Sequence, residues 1–153
     1  MFDTNVETAY VWVAVGAVSV AVLGVTTQLP TSAPPDGAAA ATTIDEVATS
    51  PPGSVATRDL QATEWSLTGR QLGLRSDGGT VHETLLQPVV PAVDASLAAV
   101  LDGERPSAVF DSPAAFRRAT ETTGPEREQW RPAPDRLTAR RVAWGGVDVT
   151  LVG

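Results

Sequence analysis

From Thr8 to Leu29 the chain contains no charged residue, and none occurs anywhere between Glu7 and Asp36. An uncharged run of that length, rising about 1.5 Å per residue as a helix, is long enough to cross a hydrocarbon core of roughly 30 Å. Valines at 11, 13, 15, 18, 20 and 22 recur with the period of a strand. A lone strand, however, leaves its backbone groups without partners in lipid, and the sequence offers no second segment of this kind to close a barrel. The sequence therefore predicts one N-terminal transmembrane helix within residues 1–29. Asp3 and Glu7 precede the run with no Lys or Arg, which does not make the basic leader of a secretory signal, so the segment is expected to be retained. Ala14, Ala17, Ala21 and Gly24 lie at helical spacing on one ridge, and small side chains in that pattern admit a second helix closely. They are the candidates for helix association; the alternative is the general abundance of Ala and Gly.

Residues 30–57 are built from Pro, Ala, Thr, Ser and Gly and read as a linker. Within it Asp36 can cap a short helix from Gly37 to Thr49, a disordered stalk being the other reading. Residues 58–153 are enough for one small domain and not for two. Segments 62–67, 70–75 and 80–87 read as strands, with Trp65, Leu67, Leu72, Leu74, Val81 and Leu85 as the apolar candidates. Ser76-Asp77-Gly78-Gly79 is a turn signal between the last two. Asp94 caps a predicted helix from Ala95 to Asp102 that stops at Gly103, and Ser112-Pro113 starts another that runs to Thr123 before Gly124-Pro125. The alternation from Leu137 to Trp144 and from Val147 to Val152, around Gly145-Gly146, is a hairpin. The expected fold class is thus α+β: a transmembrane helix, a Pro/Ala/Thr linker, then one small antiparallel sheet with two short helices.

The formal net charge is −7, all eleven basic residues are Arg, and Cys is absent. Without Cys neither a disulfide nor a thiolate metal site can form. The acid excess lies mostly before Arg58, and residues 104–153, with seven acids and eight Arg, supply no basic patch for a nucleic-acid partner. His82 is the only histidine, so a metal site would draw its other ligands from carboxylates alone. No Gly-x-Ser-x-Gly elbow or glycine-rich phosphate loop is present. Asp45-Glu46 and Glu126/Glu128 are carboxylate pairs in solvated surroundings, and the Arg-rich stretch from Arg117 to Arg141 is interleaved with acids that favour internal ion pairs, an anionic partner being the alternative. Trp130, ahead of Arg131-Pro132-Ala133-Pro134, either lies as a lid over the sheet or presents an aromatic contact surface; Trp130 and Arg131 are the candidate contact residues. No catalytic residue, cofactor or metal is expected.

The opening MFDTNVETAYVWVAVGAVSVAVLGV, the elements IDEVATSPPGS, LGLRSDGGTVH and VFDSPAAF, and the ending WGGVDVTLVG resemble an uncharacterised family of haloarchaeal single-span membrane proteins. The resemblance implies a pilin-like architecture in the setting of type IV pilus or secretion machinery, and it implies no catalytic residue. Glu7, just ahead of the apolar run, is similar to the acidic residue near a mature pilin N-terminus. The expected function is a membrane-anchored structural or accessory protein of a pilus-like or secretion-related surface assembly, with a membrane-anchored binding module for a ligand or surface polymer as the alternative. The expected partners are the lipid bilayer and other single-span or pilin-like membrane proteins. The expected location is the cell membrane, with the C-terminal domain outside.

Overall fold

The computed structural model describes residues 32–122 and 128–153, which belong to one compact unit, Ser32–Gly153. Helix α1, Gly37–Thr49, begins where the Asp36 carboxylate accepts the Ala39 N–H at 3.1 Å, and it gives way to an extended Ser50 just before Pro51-Pro52. Ala40, Ala41, Ile44 and Val47 recur at helical spacing and are all buried. The segment is therefore an element of the core rather than a tether.

Two four-stranded sheets follow. Strands β1 (Val55–Asp59), β7 (Arg136–Trp144), β8 (Val147–Val152) and β5 (Val90–Pro91) form sheet A in the order β1-β7-β8-β5. Strands β4 (Gly79–Thr84), β3 (Gln71–Ser76), β2 (Glu64–Leu67) and β6 (Arg131–Pro132) form sheet B in the order β4-β3-β2-β6. The pairing is antiparallel except between β5 and β8, which run parallel. The β7–β8 turn holds Gly145 at φ 56° and Gly146 at φ 81°, the left-handed pair that a two-residue hairpin with the right twist requires. Pro113 packs against Gly145 so closely that a Cβ there would overlap the proline ring.

The layers follow from which strand faces are apolar. Trp65, Leu67, Leu72 and Leu74 of sheet B meet Leu137, Ala139 and Val152 of sheet A in one cluster, and α1 adds Ala40, Ala41, Ile44 and Val47 to it. The other face of sheet A contributes Val142, Val147 and Leu151 to a second cluster. Helices α2 (Ala95–Asp102) and α4 (Pro113–Thr122) cover that face with Leu97, Val100, Leu101 and Phe116. A one-turn helix α3, Pro106–Val109, links them. Sheet A is thus the middle layer, and consecutive residues Leu151 and Val152 belong to different clusters. On the sheet B side, α1 runs beside β4: Gly37 abuts Val81 and Glu83, and Asp45 accepts the Leu86 N–H at 2.9 Å. The helix thereby covers what would otherwise be an open sheet edge.

The architecture expected from the sequence is corrected in four respects. No helix among the described residues is long and apolar enough to cross a membrane; α1, the longest of them at 13 residues, spans only about 20 Å. The expected transmembrane helix lies on residues outside those described. Residues 37–49 form the Asp36-capped helix that the sequence allowed and not the stalk, and their apolar stripe closes the first cluster, so they belong to the domain rather than to a linker. The single antiparallel sheet is two sheets with one parallel pair, because each hairpin has one apolar face and the two faces cover each other. Finally, residues 58–153 hold three described helices rather than two, the additional one being the one-turn α3.

Candidate functional site

Polar and aromatic side chains gather on the outer face of sheet B, away from the first cluster. Strand register sets Ser66, Gly73 and His82 in one cross-strand row, with Glu64, Arg75 and Thr80 in the next. The chain returning toward β6 crosses this face and places Trp130 over the gap that Gly73 leaves: a Cβ on Gly73 would stand 3.0 Å from the Trp130 ring, 3.2 Å from Glu128 Oε1 and 3.3 Å from the His82 ring. Ser66 in the same row is 2% exposed, although it faces outward.

Three contacts hold the indole. The Arg75 guanidinium stacks over it at 4.0 Å from the ring centroid, a cation–π arrangement. His82 meets it edge-on, with centroids 5.7 Å apart. Glu128 Oε1 lies 2.7 Å from His82 Nε2 and fastens the segment two residues before Trp130. Arg75 in turn donates to Glu64 Oε2 at 2.7 Å and to Thr80 Oγ1 at 3.3 Å. Arg131 pairs across from Trp65 in the β2–β6 ladder, donates to the Gln129 side chain at 3.1 Å, and lines a small cleft with Trp65, Leu67 and Val93.

The arrangement positions an aromatic ring more readily than it performs a reaction. His82 and Glu128 resemble two members of a hydrolytic triad, yet Ser66, the serine in the same row, stands two strands from His82, about 9–10 Å at ordinary strand spacing. A nucleophile and its base need hydrogen-bond contact. Among the described residues no group of three or more His, Asp or Glu side chains is placed to hold a metal ion.

The sequence-predicted residues are distributed unevenly. Trp130 and Arg131 come together at this face, Trp130 as a half-buried cover. Ala14, Ala17, Ala21 and Gly24, and also Glu126, lie outside the described residues. Asp45 bonds a backbone amide. The ion pairs of the Arg-rich stretch are made with acids outside it: Arg136 with Asp59 at 3.3 Å, 77 residues away, and Arg141 with Asp148 at 2.8 Å, across the β7–β8 hairpin. Arg75, Gly73 and Glu64 were not legible as partners of Trp130. The one sequence signal was the register of the Ser76–Gly79 turn, which sets Gly73 opposite His82.

A second polar centre ties the end of α1 to sheet A. Arg141 grips both carboxylate oxygens of Asp148 at 3.0 and 2.8 Å, and its Nη1 donates to the carbonyls of Ala48 and Ser50 at 3.0 and 2.6 Å. Those carbonyls end α1, where backbone acceptors lack helical partners and cations are favoured. The hydrogen bond from Arg141 holds the Asp148 carboxyl below the ordinary carboxylate range, with the charge attraction adding and burial opposing, and the same pairing raises Arg141 further.

No curated protein and no solved structure matches the chain. The family of unknown function DUF7283 matches residues 3–142, taking in the uncharged run, α1, both sheets as far as β7, and every residue around Trp130. The chain belongs to the DUF7283 family.

Proposed function

We propose that this family member is a non-catalytic structural or accessory protein of a pilus-like or secretion-related surface assembly, held at the cell membrane through its uncharged N-terminal run, with the described domain outside. The observation that supports the reading is the mutual engagement of the side chains around Trp130. Arg75 is bound to Glu64 and stacked on the ring, His82 is bound to Glu128, and the hydroxyl nearest in register is buried. Groups spent on fixing one another make a rigid face rather than a reacting centre. The uncharged stretch 8–29 ahead of this domain, and the use of Arg for every basic residue in an acidic chain, fit a surface protein of a salt-adapted archaeon.

Fractionation of cells that carry the tagged full chain tests this proposal. The protein is expected in the membrane fraction, in particles larger than one chain, and His82→Ala is expected to leave that distribution unchanged. Recovery as a lone chain in the soluble fraction would overturn it. A binding module for a surface polymer is the second reading, favoured by the half-buried Trp130 beside the Arg131 cleft. Loss of polymer retention in Trp130→Ala, with the particles intact, would select it.

A further inference from the structure

Strand β1 is the outer strand of sheet A, and its hydrogen-bond phase can be read from the bonds that flank it. Arg141 N–H donates to Ser54 O and Leu60 N–H donates to Asp135 O, each at 2.9 Å. In an antiparallel ladder the residues bonded to a given neighbour alternate. Residues 54, 56, 58 and 60 therefore face β7, while Val55, Thr57 and Asp59 turn their N–H and C=O groups to the open side. Ala56 packs on the cluster between the sheets, so by the same alternation the side chains of Val55, Thr57 and Asp59 are on the opposite face, in register with Arg140, Thr138 and Arg136.

This edge is protected only in part. Arg58 and Asp59 are charged and α1 packs on its inner face, but it has no Pro and no Lys, and Val55 is half exposed. Next to it lies a groove lined by Arg105, Pro106, Arg140 and Val142, with Glu104 at its rim. Arg105 and Arg140 have no ion pair or side-chain hydrogen bond among the described residues. A strand seated on β1 would be complemented by a carboxylate at the position opposite Val55, two strands and about 9–10 Å from the Arg140 backbone, a gap that the long arginine side chain spans by leaning along the row.

The chain supplies that carboxylate itself. We propose that β1 pairs with β1 of a second copy, antiparallel about a twofold axis through Thr57. The two sheets A then join into one of eight strands, four from each copy, and Asp59 of each copy is brought opposite Val55 and toward the free Arg140 and Arg105 of the other. This register engages every outward backbone group of the strand. Moving the axis to Asp59 would set two carboxylates against each other, and moving it to Val55 would leave Asp59 beyond the partner strand. Asp59 is free to take part: its pair with Arg136 is long at 3.3 Å and 86% exposed on the Asp59 side, the kind of contact that holds a side chain only weakly. The proposal rests on β1 and its groove alone and not on the membrane reading.

Because the chain has no Cys, single-cysteine variants of the full chain, purified in non-ionic detergent and mildly oxidised, report the pairing without background. Residues directly opposite in a hydrogen-bonded pair have Cα atoms about 5.5 Å apart, within disulfide reach. Thr57→Cys is expected to form a covalent dimer. Val55→Cys and Asp59→Cys are each expected to remain single chains alone and to cross-link when mixed. Arg140→Glu added to Thr57→Cys is expected to lower the dimer yield several-fold, and a further Asp59→Arg to restore it. A monomeric Thr57→Cys, or equal cross-linking by all three variants, would overturn the proposal. So would capture of a different polypeptide by the Thr57→Cys variant, through a cysteine-to-amine cross-linker in intact cells, which would assign the edge to another protein. These outcomes are read separately from membrane fractionation, so either proposal can fail without the other.

Discussion

Arg141 shows how much one side chain can connect. It sits in β7, bonds Asp148 of β8 through two nitrogens, and reaches a carbonyl 93 residues upstream at the end of α1. Arg141→Ala leaves both the helix end and the Asp148 carboxylate without their donor, and the urea midpoint of the full chain in detergent is expected to fall. The pH dependence has a definite sign. Asp148 releases its proton more readily folded than unfolded, so its contribution is complete above the unfolded carboxylate value of about 3.9 and is lost as pH falls through the lower folded value. The difference in midpoint between wild type and Asp148→Asn is therefore expected to be constant near neutrality and to shrink below about pH 4. A difference that grows in acid would contradict the assignment. Gly73 carries a second residue-scale consequence. Gly73→Val puts a branched side chain where the indole, Glu128 and His82 already meet, so Trp130 must lift off the sheet. Tryptophan emission should shift to the red relative to wild type, and an unchanged spectrum would mean that Trp130 is not seated on Gly73.

At the scale of elements, α1 and the final hairpin make the most different demands on a sequence reader. Gly145-Gly146 was legible because the two-residue gap between alternating strands demands positive φ, and the structure has it at both positions. Replacing both by Val costs about 1–2 kcal/mol per residue forced into the left-handed region, with the overlap against Pro113 in addition, and a lowered melting temperature is expected. Helices α2 and α4 were legible from Asp94, Gly103, Ser112 and Pro113, since caps are local. Helix α1 was only half legible. Ile44 and Val47 are sparse among Ala and Thr, and what makes them core is the distant pair of sheets, which no local pattern reports. Ile44 is fully buried, and Ile44→Ala is expected to cost about 2–5 kcal/mol, the range for such a truncation in a packed core. A loss below about 0.5 kcal/mol, the scale of an ordinary surface substitution, would return the segment to the role of a tether. Strands β5 and β6, of two residues each, fall below the length at which alternation can be seen, and the split into two sheets followed the same blindness.

For the whole molecule, the sequence conveyed class and turn positions, and tertiary pairing supplied what it left open. Trp130 was legible as unusual, but its seat was not, because Gly73, Arg75 and His82 reach it only after β3 and β4 have paired. Closure of sheet A is non-local: Arg136 meets Asp59 across 77 residues, and β7 and β8, the last of the described strands, form its middle. Such topologies fold slowly, since distant segments must meet before their contacts stabilise anything. Synthesis adds an order of events. The uncharged run and α1 leave the ribosome before the strands, and Ile44 and Val47 lack the sheet A part of their cover until β7 and β8 arrive. Neighbouring residues Leu151 and Val152 then close one apolar cluster each, on opposite faces of the same strand. Strand β8 thus closes two apolar clusters together, and a chain lacking it would expose two unfinished cores at once and be conspicuous to any protease that surveys nascent proteins.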